Sequence, residues 1–169
     1  MILQTKRLLL REFVNEDLDA LATLLGDEEV MRYSVTGPIR EKKKVQEYLQ
    51  TRILDHYSRY GYGLYAVISQ EDQQFIGFIG LLTQEVDGQK KVELGYRLKP
   101  AYWGRGLAQE GAQAVCQYAF HQMKMEEVIS IIDPKNSRSL SVAKALGMNY
   151  WKNDVFHGIP VEIYRLTKD

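Results

Sequence analysis

The chain has a single cysteine, Cys116, and only three histidines, His56, His121 and His157, which form no HxxxH or HExxH pair. One cysteine excludes an internal disulfide and any cysteine-based zinc site. The scattered histidines argue against a metal centre of another kind, so no metal is expected. Neither charge is in surplus, because 22 Lys and Arg balance 22 Asp and Glu. An obligate polyanion binder needs a basic excess to neutralise phosphates, so no nucleic-acid partner is expected. Long apolar runs are also missing. The longest, such as Leu8-Leu9-Leu10 and Val128-Ile129, fall far short of the ~18–20 residues of a membrane span. The start has no charged-then-apolar pattern of the secretory kind. The expectation is a cytoplasmic domain without a membrane partner.

What is present suffices for one folded core. The 169 residues are 45% hydrophobic and 26% charged, which suits a single domain over 1–169. No repeat and no Pro/Gly/Ser-rich linker divides it. Residues 7–12 read as a strand, and Asn15 as an N-cap ahead of Leu18, Leu21, Ala22 and Leu25 at helical spacing. Gly37-Pro38 breaks the chain. Val45, Leu49, Ile53 and Tyr57 then recur every fourth residue, an amphipathic helix over residues 41–59. Residues 63–69, 75–83 and 91–98 are β-rich, and Asp87-Gly88 favours a hairpin between the last two. A helix over 106–122 follows, with Leu107, Gly111, Ala114, Val115 and Tyr118 on one face and Glu110, Gln113 and Gln117 opposite. Residues 128–132 are apolar but for Ser130, as in a strand buried on both faces. Asn136 caps a shorter helix that Gly147 closes. Residues 148–156 and 159–166 form two strands joined at His157-Gly158. Strand–helix–strand through 91–132 predicts one parallel crossover in an otherwise antiparallel meander. The class is α/β (α+β), with a mixed and not a doubly wound sheet.

The most informative stretch runs from Glu93 through Pro100 to Trp103-Gly104-Arg105-Gly106-Leu107-Ala108. A strand ends, a turn holds two glycines, and a helix starts. The first N–H groups of that helix have no internal partners. Together with glycines that admit close approach, they make an anion site suited to phosphates. The plainer reading is that Gly104 and Gly106 only shape a turn. A Rossmann site needs a third glycine where Gln109 stands, and a P-loop needs GxxxxGK[ST], which is absent. Both familiar nucleotide readings fail.

These residues resemble a family. Trp103-Gly104-Arg105-Gly106-Leu107-Ala108 is similar to the acetyl-CoA pyrophosphate loop, Q/R-x-x-G-x-G/A, of the GNAT N-acetyltransferases, in particular the RimJ/RimL-like branch that acetylates protein N-termini. The resemblance covers nearly the whole chain. Residues 5–11 match the opening strand, Gly77-Phe78-Ile79-Gly80 the third, Glu93-Leu94-Gly95-Tyr96 the fourth, and Asn136-Ser137-Arg138-Ser139 the late helix. It implies a single GNAT-like domain with a mostly antiparallel twisted sheet, one splayed parallel strand pair and about four flanking helices. It further implies acetyl-CoA as co-substrate. Backbone groups of Gly104, Arg105, Gly106, Leu107 and Ala108 would hold the pyrophosphate. The strand edge at Tyr96, Arg97 and Leu98, together with Asn136, would hold the pantetheine arm. Trp103 departs from the usual Gln or Arg, and the tyrosine that many GNAT enzymes use as general acid falls at Ala143.

The implied reaction is direct attack of a primary amine on the thioester. An α-amine with a pKa of ~8 needs only a weak base at neutral pH. Glu93 is the candidate base, the alternative being a solvated or salt-bridged strand carboxylate. By analogy with RimL-like enzymes, Ser139 is the candidate for stabilising the departing thiolate; otherwise it is an ordinary first-turn serine. Cys116, mid-helix with no basic partner, reads as a buried small side chain. Tyr62, between two glycines, and Tyr33 are candidates for the acceptor pocket. The acceptor is a protein N-terminus or a small-molecule amine, and a homodimer stays open. The competing reading is a non-catalytic acyl-CoA-binding sensor or interaction domain.

Overall fold

A computed structural model describes residues 2–169. The chain opens with β1 (Ile2–Gln4) and β2 (Leu8–Glu12), then α1 (Leu18–Leu25). A helical segment follows as α2 (Lys42–Glu47), a π turn (Tyr48–Leu54) and α3 (Asp55–Tyr60). Next come β3 (Leu64–Ser69), β4 (Phe75–Val86), β5 (Gln89–Leu98), α4 (Leu107–His121), β6 (Glu127–Ile132), α5 (Ser137–Ala145), β7 (Asn149–Phe156) and β8 (Ile159–Thr167). The strands form one mixed sheet in the order β1-β2-β3-β4-β5-β6-β8-β7. This is the expected architecture, with β1 added.

Alternation along the central strands builds two cores, one on each face of the sheet. Tyr65, Val67, Ile79 and Leu81 pack with Leu107, Val115, Cys116 and Ala119 of α4. Leu64, Ala66, Phe78 and Leu82 pack with Leu21, Leu24 and Leu25 of α1 and with Val45, Leu49 and Ile53. The buried stripe of α4 includes Ala112, Cys116, Ala119 and Phe120, so it lies slightly round from the expected Ala114 and Tyr118, which are half-buried. Glu110, expected on the opposite face, is tied to the first strand turn. Its carboxylate accepts from Thr5 Oγ1 at 2.6 Å, Arg7 N at 2.9 Å and Arg7 Nε at 2.6 Å.

Other differences from expectation have local causes. Asn15 is not a side-chain cap; the Asp17 carboxylate reaches back to accept from Val14 N at 2.9 Å and holds Arg11 bidentately at 2.8 and 2.9 Å. The β4–β5 hairpin runs right up to its two-residue turn at Asp87-Gly88, both residues having positive φ. Gly77 is required where it stands. Its φ is +148°, and a Cβ there would lie 2.0 Å from the Arg97 carbonyl oxygen.

The parallel crossover is present between β5 and β6, but the two strands share a single register pair, Glu93 with Ile129. On its other side β5 stays paired with β4 as far as Leu98. Beyond Glu93 the sheet therefore parts, and the edge of β5 from Gly95 to Leu98 is free of a partner strand. No helix of the described residues is long and apolar enough to cross a membrane.

Candidate active site

Two adjoining cavities open where the sheet parts. The first, of about 320 Å³, is lined by Tyr96–Leu98, the loop at Trp103, Gly104 and Gly106, the start of α4, and the start of α5 from Asn136 to Val142. The second, of about 470 Å³, is lined by Glu93 to Arg97 of β5, Tyr48 and Arg52 of the π turn, Gln84 and residues 130–133. Tyr33, Tyr96, Arg97, Asn136 and Ser139 border both.

The first cavity is built around backbone amides. Gly104 and Gly106 have φ of +71° and +74°, and this left-handed turn delivers the chain into α4. The first backbone bond into the helix is Glu110 N to the Gly106 carbonyl at 3.1 Å, so the amides of residues 104–109 have no acceptor among the described residues. Free N–H groups converging at the positive end of a 15-residue helix favour an anion there. The turn is braced from behind, because Arg7 NH1 donates to the Arg105 carbonyl at 2.8 Å. A Cβ on Gly106 would meet nothing closer than Arg7 NH2, at 3.5 Å. Glycine is needed there for its φ.

The candidate residues divide by position. Gly104, Gly106, Leu107, Ala108, Asn136 and the Tyr96–Leu98 edge line the first cavity. The Arg105 side chain does not; it pairs with Glu71 at 2.6 Å and lies over Tyr102. The Leu98 carbonyl is not free, since Trp103 Nε1 donates to it at 2.8 Å. Trp103 thus locks the loop onto the end of β5, and the Arg138 guanidinium stacks on its ring at 3.7 Å from the centroid. Asn136 has two positions to serve: its Oδ1 caps α5 by accepting from Ser139 N at 3.2 Å, and its side of the helix end faces both cavities. Tyr62 is not at the site. The left-handed Gly61 turns the chain inward after α3, and the Tyr62 ring packs against His56 and Tyr60 with its hydroxyl 2.8 Å from Thr83 Oγ1. Tyr33 borders both cavities.

Glu93 lines the second cavity and Ser139 the junction. Burial pushes the Glu93 carboxyl up to about 7, against smaller opposing effects from Gln84, Arg52 and Arg97. Gln84 Nε2 donates to Glu93 Oε2 at 2.8 Å. Burial likewise pushes the Tyr96 phenol up to about 12, with hydrogen bonding to Ser139 acting the other way. The arrangement joins an amide-lined anion site to a pocket whose carboxyl is pushed up to about 7, with the Tyr96 and Ser139 side chains at the border. Cys116 is buried in the core, its thiol pushed up to about 12, and lines neither cavity. Sequence reasoning missed Arg52, Gln84, Tyr48 and Arg138. Arg52 and Arg138 sit on exposed helix faces, Tyr48 is half-buried on the π turn and Gln84 lies in β4, and no local motif marks them.

The profile of the acetyltransferase (GNAT) domain family matches residues 7–149. The chain is 30% identical over 165 residues to the uncharacterised protein YkkB of Bacillus subtilis, covering 96% of this chain and 93% of that one. It is also 30% identical over 148 residues to the uncharacterised N-acetyltransferase YnaD of Bacillus subtilis, covering 88% of this chain and 82% of that one. Among solved structures it shares the fold of RimL, a ribosomal L7/L12 alpha-N-protein acetyltransferase in complex with coenzyme A. That similarity has a TM-score of 0.83 at 18% identity and covers 99% of this chain and 98% of the other. GNAT acetyltransferases take the group they transfer from acetyl-CoA, and the unpaired amides before α4 fit its phosphates. The chain belongs to the GNAT acetyltransferase family and is an N-acetyltransferase, an enzyme that moves an acetyl group onto an amine.

Proposed function

We propose that the enzyme belongs to the RimJ/RimL-like branch and works in the cytoplasm. In this reading it acetylates the primary amine of a protein N-terminus or a small molecule by direct attack on acetyl-CoA. The observation that carries this reading is the junction of the two cavities at Tyr33, Tyr96, Arg97, Asn136 and Ser139, with free amides on one side and Glu93 on the other. The amides of residues 104–108 hold the pyrophosphate, and Asn136 with the free edge of β5 at Tyr96 and Arg97 holds the pantetheine arm. Leu98 borders the same cavity, its carbonyl already accepting one bond from Trp103 Nε1.

Glu93 accepts the proton that the acceptor ammonium gives up, directly or through a water. A carboxyl titrating at about 7 suits an α-amine of pKa ~8 better than an ordinary glutamate does. The amine nitrogen then bonds to the thioester carbon and the carbon–sulfur bond breaks; the second proton that the nitrogen sheds passes by way of the Ser139 hydroxyl, beside Tyr96, to the departing thiolate, which leaves as the CoA thiol. Ala143, where many GNAT enzymes carry tyrosine, is buried, and this reading uses the Ser139 and Tyr96 hydroxyls at the border in its place.

The test is CoA thiol release from acetyl-CoA with a panel of amines. Acetylated product formed in step with thiol supports the reading. Tight acetyl-CoA binding with no thiol release above background for any amine would establish a binding domain instead.

A further inference from the structure

The second cavity carries two positive groups that acetyl transfer alone does not require. Arg52 and Arg97 both line it, and neither has a carboxylate within ion-pair distance among the described residues. Arg97 uses one side-chain donor within the protein, NH1 to the Val30 carbonyl at 3.1 Å. Arg52 makes no such bond and lies 5.8 Å from the centre of the Tyr48 ring. A guanidinium has five donors, so most of those on this wall are left for a ligand or water. The local structure that presents Arg52 is itself uncommon. Arg52 and Tyr48 stand on the π turn, a distortion that recurs at functional sites. Arg97 stands on the part of β5 that β6 leaves uncovered.

The remaining titratable groups complete the pattern. The carboxyls of the cavity are Glu93 and Asp133, and His157 and three tyrosines make up the rest. Glu93 is bonded by Gln84 at 2.8 Å and Asp133 accepts from Lys135 N at 2.9 Å. Positive and negative groups thus occupy the same pocket without pairing with each other.

We propose that the acceptor is a small amino-carboxylate, a free amino acid or short peptide whose carboxylate binds Arg52 and Arg97 while its amine faces Glu93. The proposal rests on the acetyl-transfer reading above and narrows its acceptor. A carboxylate matches the planar fork of a guanidinium and accepts two of its bonds at once. A zwitterion meets an opposite charge at each end. A polyamine would instead set a second ammonium against two unpaired guanidiniums, which selects against it.

The test uses the purified chain, acetyl-CoA and acceptors matched at the reacting amine. They are a dipeptide with a free carboxylate, the same dipeptide as its C-terminal amide, an amidated tetrapeptide with aspartate second, a free amino acid and a linear polyamine. Thiol release and product mass are both read. At least one carboxylate-bearing acceptor is expected to show kcat/KM about 10–100-fold above the matched amide, mainly through KM, as charge-assisted bonds imply. The arm that leads identifies the source of the carboxylate. Arg52→Gln is expected to shrink the acid-to-amide ratio and Arg52→Glu to invert it. Arg97→Gln is expected to shrink the ratio as well, and because Arg52 is exposed its variants keep the test open even if Arg97→Gln fails to fold. An active enzyme that prefers the amide or the polyamine, or whose ratio ignores Arg52→Glu, would overturn the inference and leave acetyl transfer standing. No thiol release above background with any of these amines would remove the acetyl-transfer reading, and this inference with it.

Discussion

Replacing Glu93 by glutamine is expected to stabilise the protein, by a margin that grows as pH rises from about 4.5 and is complete above about 7. In the folded chain burial holds that proton up to about 7, whereas an unburied glutamate titrates near 4.5. Between those values the folded state binds more protons than the unfolded state, so stability falls as pH rises across the window. Each tenfold difference in proton affinity is worth about 1.4 kcal/mol. The full gap is therefore on the order of 3 kcal/mol once pH exceeds about 7. Glutamine has the same shape, does not titrate, and offers an oxygen to Gln84 Nε2 in place of the carboxylate. The assay is urea unfolding of both proteins at pH 4.5 and pH 8. Near-equal stability is expected at the lower pH. At the higher pH the variant should lead by about 2–3 kcal/mol, or roughly 2–4 °C in melting temperature per kcal/mol for a chain of this size. An equal offset at both pH values would refute the burial argument. The same carboxyl sets an expectation for activity. The kcat/KM of the native enzyme should rise with pH through about 7, and the deficit of Glu93→Gln should shrink as free amine becomes abundant.

Three further outcomes test separate parts of the site. Arg7→Met removes the bond to the Arg105 carbonyl that braces the amide loop, and should raise KM for acetyl-CoA about 3–10-fold while changing kcat little; an unchanged KM in a folded variant would count against the brace. Ser139→Ala and Tyr96→Phe should each lower kcat about tenfold or more without rescue at high pH, because the deficit lies in the leaving thiolate, and a pH–rate profile separates them from Glu93→Gln. His56 is held below its ordinary 6.5 by burial while its Nε2 accepts from Thr83 N at 3.1 Å. The unfolded chain therefore takes up that proton first as pH falls, and stability should drop below pH 6.5 in the native protein but much less in His56→Gln, as read by thermal melts at pH 5 and 7.

The parts of this enzyme that were legible in its sequence are those set by neighbours along the chain. Asp87-Gly88 fixes a two-residue turn wherever it lies between β-rich runs, and the structure carries the ladder up to it. Gly104 and Gly106 could be read because a left-handed turn before a helix has few residue solutions, and both adopt it. Asn136 capped its helix as the local pattern required. What failed depended on which of several possible partners a group takes in the folded chain. Asn15 has the chemistry of a cap, but the Asp17 carboxylate, fixed by Arg11 across the strand end, satisfies Val14 N instead. Tyr62 looked free between two glycines, yet Thr83, 21 residues on, supplies a partner for its hydroxyl in the core. The acceptor pocket is the extreme case of the same rule. Arg52, Gln84, Glu93, Arg97 and Asp133 come from four separate segments, and no periodicity of one segment encodes where the others end. On the proposed reading the pyrophosphate is held by one turn and one helix start, a pattern that a single stretch of sequence displays. The acceptor side is written only in the way β5 and β6 part beyond Glu93 and Ile129. Charge placed along that parting decides which amines enter, and a guanidinium on an otherwise ordinary helix face becomes a specificity element only when the fold turns it toward the gap.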